Sequence, residues 1–248
     1  MKISPYANQP IANWTNITED LINQYPLNPE EILEIAMLSW ERLWTSRIGG
    51  EIDLYEVDLP ATVVGYFFQK LFSHELKSRY PFDWKGEEFK SDKDLVNIQN
   101  PIFSTEMKSS GQLGYSLYGN RSYNQQALSL ENAGKDKSGF YITVNFYKHA
   151  ITLIRIGWVD QDDWVPQGAA TGQAAVLKPD VYKYKLFEIN GAYRNNSPIE
   201  LLNGIGPRAA TIFHSEQVYT FGDLKAYSGM NLKIRKTYQD NYDFLNSF

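Results

Sequence analysis

Five acid-x-Lys triplets occur in the chain: Glu75/Lys77, Asp83/Lys85, Glu88/Lys90, Glu106/Lys108 and Asp223/Lys225. A carboxylate and an ammonium group two residues apart do joint chemistry only where the backbone turns both to one surface. The first triplet lies in a run read below as a buried helix, and the next two lie in a polar loop after Pro81. Of the five, Glu106/Lys108 alone falls in a predicted strand. In Ile102 to Ser109 the two-residue period puts Phe103, Thr105 and Met107 on one face and Ser104, Glu106 and Lys108 on the other. Upstream, Lys93 to Ile98 reads as a partner strand joined through the turn residues Gln99-Asn100-Pro101. If the hairpin is centred near Asn100, opposing residue numbers add to about 200, and Asp94 faces Glu106. Two carboxylates in direct opposition repel unless a cation lies between them. Hard oxygen ligands in such a pair suit Mg²⁺, with waters and a substrate phosphate completing its shell. Lys108 would then orient a water or neutralise charge developing on a phosphate. A solvated strand face is the alternative reading of the same residues.

A second group lies near the C-terminus. Ser197-Pro198-Ile199-Glu200 reads as a capping box with Pro at the first helical position, interrupted by Asn203-Gly204-Ile205-Gly206, after which Pro207 starts another helix through Phe213. Leu202-x-Gly204-Ile205-Gly206-x3-Ala210-x2-Phe213 is similar to the helix-hairpin-helix motif, and Val218-x-Thr220-x2-Asp223-Leu224 continues it as such modules often do. Glycines there let backbone amides approach a phosphate without reading sequence, with Arg208 beside them. A tight corner between two helices is the alternative. Following the Glu106 strand, Gln112, Asn120, Arg121, Ser122, Asn124, Gln125 and Gln126 include the residue types that contact guanine and adenine bidentately, and Gln167 to Gln173 is a weaker candidate of the same kind. A polar surface loop explains any one of them equally well. Trp158 and Trp164, around Asp160, Asp162 and Asp163, could flank a substrate loop. His74, His149 and His214 are scattered and read as structural.

The elements that must position these residues are legible in outline. Asn28-Pro29-Glu30-Glu31 before ILEIAMLSWERLW is a capped helix with acid in its first turn. Pro60-Ala61 through Arg79 is a second, with Val63, Val64, Phe67, Phe68, Leu71, Phe72 and Leu76 crowding one side. Beyond it the period changes, and Lys93 to Ile98, Ile102 to Ser109, Phe140 to Tyr147 and Ile151 to Val159 read as strands of an α/β core. With 248 residues, 43% of them hydrophobic, the chain can bury a sizeable core. Cysteine is absent, which excludes disulfides, thiol nucleophiles and Cys-ligated zinc. No Gly-rich nucleotide loop followed by Lys occurs, so ATP-driven chemistry has no support. Neither a membrane span nor a secretory signal is visible, and a soluble, cytoplasmic protein is expected. The net charge of −5 hides an asymmetry: residues 1–60 hold three basic and ten acidic side chains, whereas the remainder holds 21 and 19. A weakly positive body can offer a groove to DNA but not coat it indiscriminately.

Asp94-x11-Glu106-Met107-Lys108 resembles the Asp…Glu-x-Lys signature of the PD-(D/E)XK nuclease superfamily, with Lys93 where Pro often precedes the Asp. The longer pattern, Lys93-Asp94-Leu95-Val96, Ser104 to Ser110, Tyr118 to Tyr123, Lys137 to Tyr141, Ile156 to Asp160 and Ala169 to Gln173, resembles the type II restriction endonucleases similar to ScaI over roughly residues 50–215. The resemblance implies a central mixed sheet flanked by helices. It also implies Asp94 and Glu106 as metal ligands, Lys108 as the catalytic lysine, and Mg²⁺ as cofactor. A PD-(D/E)XK-like catalytic domain with a helical N-terminal segment is expected over residues 1–190, and a small helical DNA-binding module over 191–248. The expected activity is Mg²⁺-dependent cleavage of double-stranded DNA at a short palindromic site by a homodimer, with a cognate DNA methyltransferase as genetic partner. Expected DNA contacts are Asn120, Arg121, Asn124, Gln125, Gly204, Ile205, Gly206 and Arg208. The alternatives are a structure-specific repair or recombination nuclease and a non-catalytic helix-hairpin-helix DNA-binding protein.

Overall fold

A computed structural model describes residues 3–120, 137–167 and 174–248. Helix α1 (Trp14–Gln24) is followed by α2 (Pro29–Trp44), whose start is fixed by a reciprocal cap: Asn28 accepts from the Glu31 amide and Glu31 accepts from the Asn28 amide. A small hairpin, β1 (Arg47–Ile48) and β2 (Ile52–Asp53), leads to α3 (Ala61–Arg79). The strands β3 (Trp84–Gly86), β4 (Leu95–Asn97), β5 (Thr105–Gly111), β6 (Tyr118–Asn120), β7 (Gly139–Tyr147), β8 (Ala150–Val159), β9 (Trp164–Pro166), β10 (Ala174–Leu177) and β11 (Leu186–Glu188) form two further sheets. The larger runs β11-β8-β7-β5-β4-β3 and the smaller β6-β10-β9. In the larger sheet β5 and β7 are parallel and every other neighbouring pair is antiparallel. The protein is therefore α/β with a mixed central sheet, flanked by helices and followed by α4 (Pro207–Ser215), α5 (Phe221–Ala226), α6 (Leu232–Asp240) and α7 (Tyr242–Leu245).

One core lies between α1 to α3 and the sheet, gathering Ile32, Ile35, Phe68, Phe72, Met107, Phe140 and Ile154 among others. Only one stripe of α3 enters it: Val64, Phe68, Phe72 and Leu76 are buried, whereas Val63 and Phe67, expected on the same side, are exposed. A helix lying on a flat sheet buries an i, i+4 row and leaves its flanks outside. At Gly65 the helix crosses β5 so closely that a Cβ would lie 2.2 Å from the Ser109 hydroxyl. On the opposite face, Tyr141, Val159, Trp164, Leu177 and Leu186 form a second cluster with Leu117.

Asp160 and Asp163 have a structural task. The buried Lys185 ammonium donates to Asp160 Oδ2 at 3.0 Å and Asp163 Oδ2 at 2.8 Å, and lies 4.4 and 4.5 Å from the ring centres of Tyr6 and Trp14. Ser4 donates to Asp160 at 2.7 Å and Thr18 to the Tyr184 carbonyl at 2.7 Å, so the N-terminal segment is pinned to the sheet. Trp158 Nε1 completes the cluster through Asp160 Oδ1 at 2.9 Å.

The C-terminal helices enclose a core of their own, with Ile199, Leu202, Ile205, Phe213, Phe221, Leu224 and Ile234 buried in it. The helix expected from Ser197 is only a single 3-10 turn, Ile199–Leu201. Ser197 does not cap it: its hydroxyl turns to the Thr152 carbonyl of β8, and Pro198 bridges to Thr220. That bridge holds the backbone extended where a longer helix would need it coiled. The cap forms instead at Thr220, which exchanges bonds with Asp223 at the start of α5.

Candidate active site

The hairpin register follows the expected sum, since Leu95 of β4 pairs with Thr105 of β5. One step outward Asp94 comes level with Glu106. Two local expectations are corrected. The strand begins at Thr105, because Pro101–Phe103 forms a 3-10 turn in which Pro101 has no N–H for a ladder. Strand β4 covers only Leu95–Asn97, with the Asn97 amide donating to the Ser104 hydroxyl at 3.1 Å where the ladder ends. A third correction concerns Lys85, which lies in the edge strand β3, not a loop, and pairs with Glu88 at 2.6 Å.

The faces of β5 divide cleanly. Thr105 shares a hydrogen bond of 2.6 Å with Tyr25 and Met107 enters the main core, so these side chains point to the helices. Glu106 and Lys108 point to the other face, beside Tyr141 and Thr143 of β7. Both carboxylates are withdrawn from solvent: Asp94 is 8% exposed and Glu106 only 3%. Carboxylates are rarely buried unless paired, hydrogen-bonded or bound to a cation. Asp94 Oδ2 accepts the Met107 amide at 2.7 Å, which fixes its carboxylate against β5. The half-buried Lys108 ammonium lies 3.6 Å from Glu106 Oε1. Two buried hard-oxygen donors on one surface, with a lysine beside them, fit a small divalent cation whose other ligands come from water and substrate. Among the described residues no cluster of three His, Cys, Asp or Glu forms a complete metal cage.

Two residues unnoticed in the sequence organise the neighbouring surface. Arg155 of β8 is buried, and burial pulls its guanidinium below the usual arginine range. It donates to Thr143 Oγ1 at 3.3 Å, to the Tyr115 carbonyl at 3.0 Å and to Asn145 Oδ1. Asn145 in turn donates to the Ser116 carbonyl at 3.2 Å, and the Leu117 amide donates to Tyr182 Oη at 2.9 Å. Thr143 and Asn145 are the register partners of Lys108 and Ser110. The segment leaving β5 is thus tied down through side chains on two other strands. A polar residue interrupting each apolar run, Asn145 in FYITVNFY and Arg155 in ITLIRIGWV, was the available signal.

Of the expected base-reading residues, Asn120 is the last residue of β6, its backbone paired with Ala174. Arg121, Ser122, Asn124, Gln125 and Gln126 lie outside the described residues, as does most of Gln167 to Gln173. In the C-terminal hairpin Gly204 has φ +84°, a conformation that favours glycine. Ile205 turns inward and is buried, and its amide donates to the Leu202 carbonyl at 3.1 Å. Gly206, the N-cap of α4, has φ −84°, and a methyl group on its Cα would meet no atom within 4 Å. Gly204, Gly206 and Arg208 stay at the surface. A groove of about 490 Å³ is lined by Gly206 to Ala209, and a second of about 360 Å³ includes Asn203, Gly204, Lys233 and Thr237. Neither is lined by the carboxylate pair.

Comparison with known proteins identifies a family. Residues 4–190 match the ScaI restriction endonuclease family. The chain is 32% identical over 199 residues to the type II restriction enzyme ScaI of Streptomyces caespitosus, an overlap covering 75% of this chain and 85% of that protein. No solved structure matches it. The family match spans both carboxylates, Lys108 and the sheet that holds them, and the chain belongs to the ScaI restriction endonuclease family.

Proposed function

We propose that this restriction endonuclease hydrolyses phosphodiester bonds of double-stranded DNA at a short palindromic sequence, with Mg²⁺ held by Asp94 and Glu106 and with Lys108 as the catalytic lysine. The observation that carries the proposal is the burial of both carboxylates at β5, Asp94 bound to the amide of Met107 next to Glu106, with the Lys108 ammonium 3.6 Å from Glu106. Bound there, Mg²⁺ supplies Lewis-acid charge to the scissile phosphate and acidifies water. The amide of Met107 fixes one oxygen of the Asp94 carboxylate against β5. Lys108 holds a positive charge where a phosphate oxygen gains negative charge, and donates a hydrogen bond to it. A homodimer matches the two-fold symmetry of a palindromic duplex, and a cognate DNA methyltransferase is its expected genetic partner.

Residues 191–248 form a helical module that grips phosphates through Gly204, Gly206 and Arg208, with Ile205 as its internal anchor. Its separate core supports that division. It lies beyond the stretch matched to the family, which suits a sequence-independent contribution to DNA binding. Asn120, Arg121, Asn124 and Gln125 are proposed as base readers. Arg121→Ala should lower cognate affinity far more than non-specific affinity.

Plasmid DNA incubated with the protein, with and without Mg²⁺, tests the activity. Discrete fragments that appear only with Mg²⁺ are expected. Preference for branched DNA would favour a repair or recombination nuclease, and binding without cleavage would leave only a DNA-binding protein.

A further inference from the structure

Between α5 and α6 the chain runs Tyr227-Ser228-Gly229-Met230-Asn231, and Leu232 opens the second of these helices. Met230 and Leu232 are each 80% exposed, whereas no other large apolar side chain in residues 191–248 exceeds 48%. Scattered exposed apolar residues need no explanation, but these two stand together on a loop of fixed shape. Tyr227 Oη accepts the Asn231 amide at 3.1 Å and donates to Glu216, the C-cap of α4, also at 3.1 Å. Asn231 caps α6 by accepting the Lys233 amide at 3.1 Å, and Ile234 anchors the helix in the core of the C-terminal helices. The loop is braced on both sides while its two apolar side chains stay outside.

We propose that Met230 and Leu232 form an apolar wedge that enters the minor groove of double-stranded DNA, beside phosphates held by the helical module. The inference rests on the reading of residues 191–248 as a module that grips phosphates. Charge favours DNA as the occupant: residues 224–239 contain Lys225, Lys233, Arg235 and Lys236 and no acid, which complements a polyanion. Lys225 is engaged with the Phe248 carbonyl at 3.1 Å, and the other three are exposed. Position favours it too, since Lys233, next to Leu232, lines the same groove as Gly204. Asp240 also lines that groove, but it ends α6, whereas the apolar tip and Lys233 lie at its start. Leucine and methionine are among the side chains that proteins insert between base steps from the minor groove, unstacking them and bending the duplex. Such a wedge reads little sequence and adds affinity to cognate and non-cognate DNA alike.

The test compares the full-length protein with its double variant Met230→Ser/Leu232→Ser, with Ca²⁺ in place of Mg²⁺. Affinity for cognate and for non-cognate duplexes should fall by about tenfold, the loss expected when two apolar contacts are removed. The bend of the duplex, read by energy transfer between dyes at its ends, should shrink. Log affinity against log salt should keep its slope in the double variant, because no phosphate contact is lost, whereas Lys233→Gln should lower that slope by about one. Urea unfolding should match wild type, since both side chains are solvent-exposed. Met230→Leu/Leu232→Met should bind and bend as wild type does. An affinity change within about twofold, an unchanged bend, a reduced salt slope or a loss of stability in the double variant overturns the inference. So does a double variant that sediments as a smaller species than wild type without DNA, because the tip would then join copies of the chain. Gly206→Val and Lys233→Gln test the underlying reading. Undiminished DNA binding in both would overturn the module assignment and the wedge with it, whereas a loss in both with none in the double variant would overturn the wedge alone.

Discussion

Lys108→Met removes the ammonium and keeps most of the side chain's apolar length. Two unit charges 3.6 Å apart, the separation of Lys108 Nζ and Glu106 Oε1, interact by about 4 to 5 kcal/mol at an effective dielectric constant of about 20. At a similar distance from a phosphate oxygen that gains roughly half a charge in the transition state, the lysine would contribute about 2 kcal/mol, or about thirtyfold in rate. Loss of one preorganised donor from a developing anion costs about a hundredfold to a thousandfold in other enzymes. Cleavage should therefore slow by about thirtyfold to a thousandfold. The assay is single-turnover cutting of a cognate duplex in Mg²⁺, with equilibrium binding measured in Ca²⁺, which should support binding with little cutting. Binding should change little, since phosphate and base contacts elsewhere position the DNA. Cutting within about threefold of wild type would refute the reasoning. So would a fall in affinity as large as the fall in rate, because the lysine would then be a binding contact.

Lys185→Met should cost about 3 to 5 kcal/mol at neutral pH, since it leaves the buried Asp163 and the partly buried Asp160 without their cation. Burial already pushes the Asp163 carboxyl up despite the opposing pull of Lys185, so folding raises its affinity for a proton. Its contribution to stability is full below the unfolded carboxylate range and is lost as pH rises through the folded value. Removing Lys185 raises that value further, and the deficit in urea unfolding should shrink between neutral pH and about pH 5; equal deficits at both would contradict it. Arg155→Met strands acceptors on Thr143, Asn145 and Tyr115, and should cost about 3 kcal/mol. Cognate cleavage should also fall at temperatures where the variant stays folded, and unchanged cleavage there would separate this network from the site. Gly204→Val should destabilise the fold by about 1 to 2 kcal/mol because φ is +84°. Gly206→Val should leave stability intact yet weaken cognate and non-cognate DNA binding by a similar factor, so a sharp change in discrimination would mean that the hairpin reads bases.

The local order of residues was enough to determine the pieces whose physics is local. The Asn28 cap, the span of α3 and the pairing of Leu95 with Thr105 follow from neighbours a few positions away, and the last of these set Asp94 level with Glu106. Even near the site, local reading overran where an alternative partner intervened. Pro101 shortened β5, and the bridge from Pro198 to Thr220 replaced a helix with one turn. Burial was beyond the sequence altogether. Whether Glu106 and Lys108 lie on a wet strand face or a covered one depends on Tyr141 and the second core packed over that face, brought there by β7 and β8. The same holds for Arg155, which reaches a carbonyl 40 residues away, and for Lys185, which closes on carboxylates 22 and 25 residues back. A charge in a strand pattern reads as exposed because exposure is its lowest-energy state in isolation. Only the folded chain supplies the acceptors that make its burial tolerable.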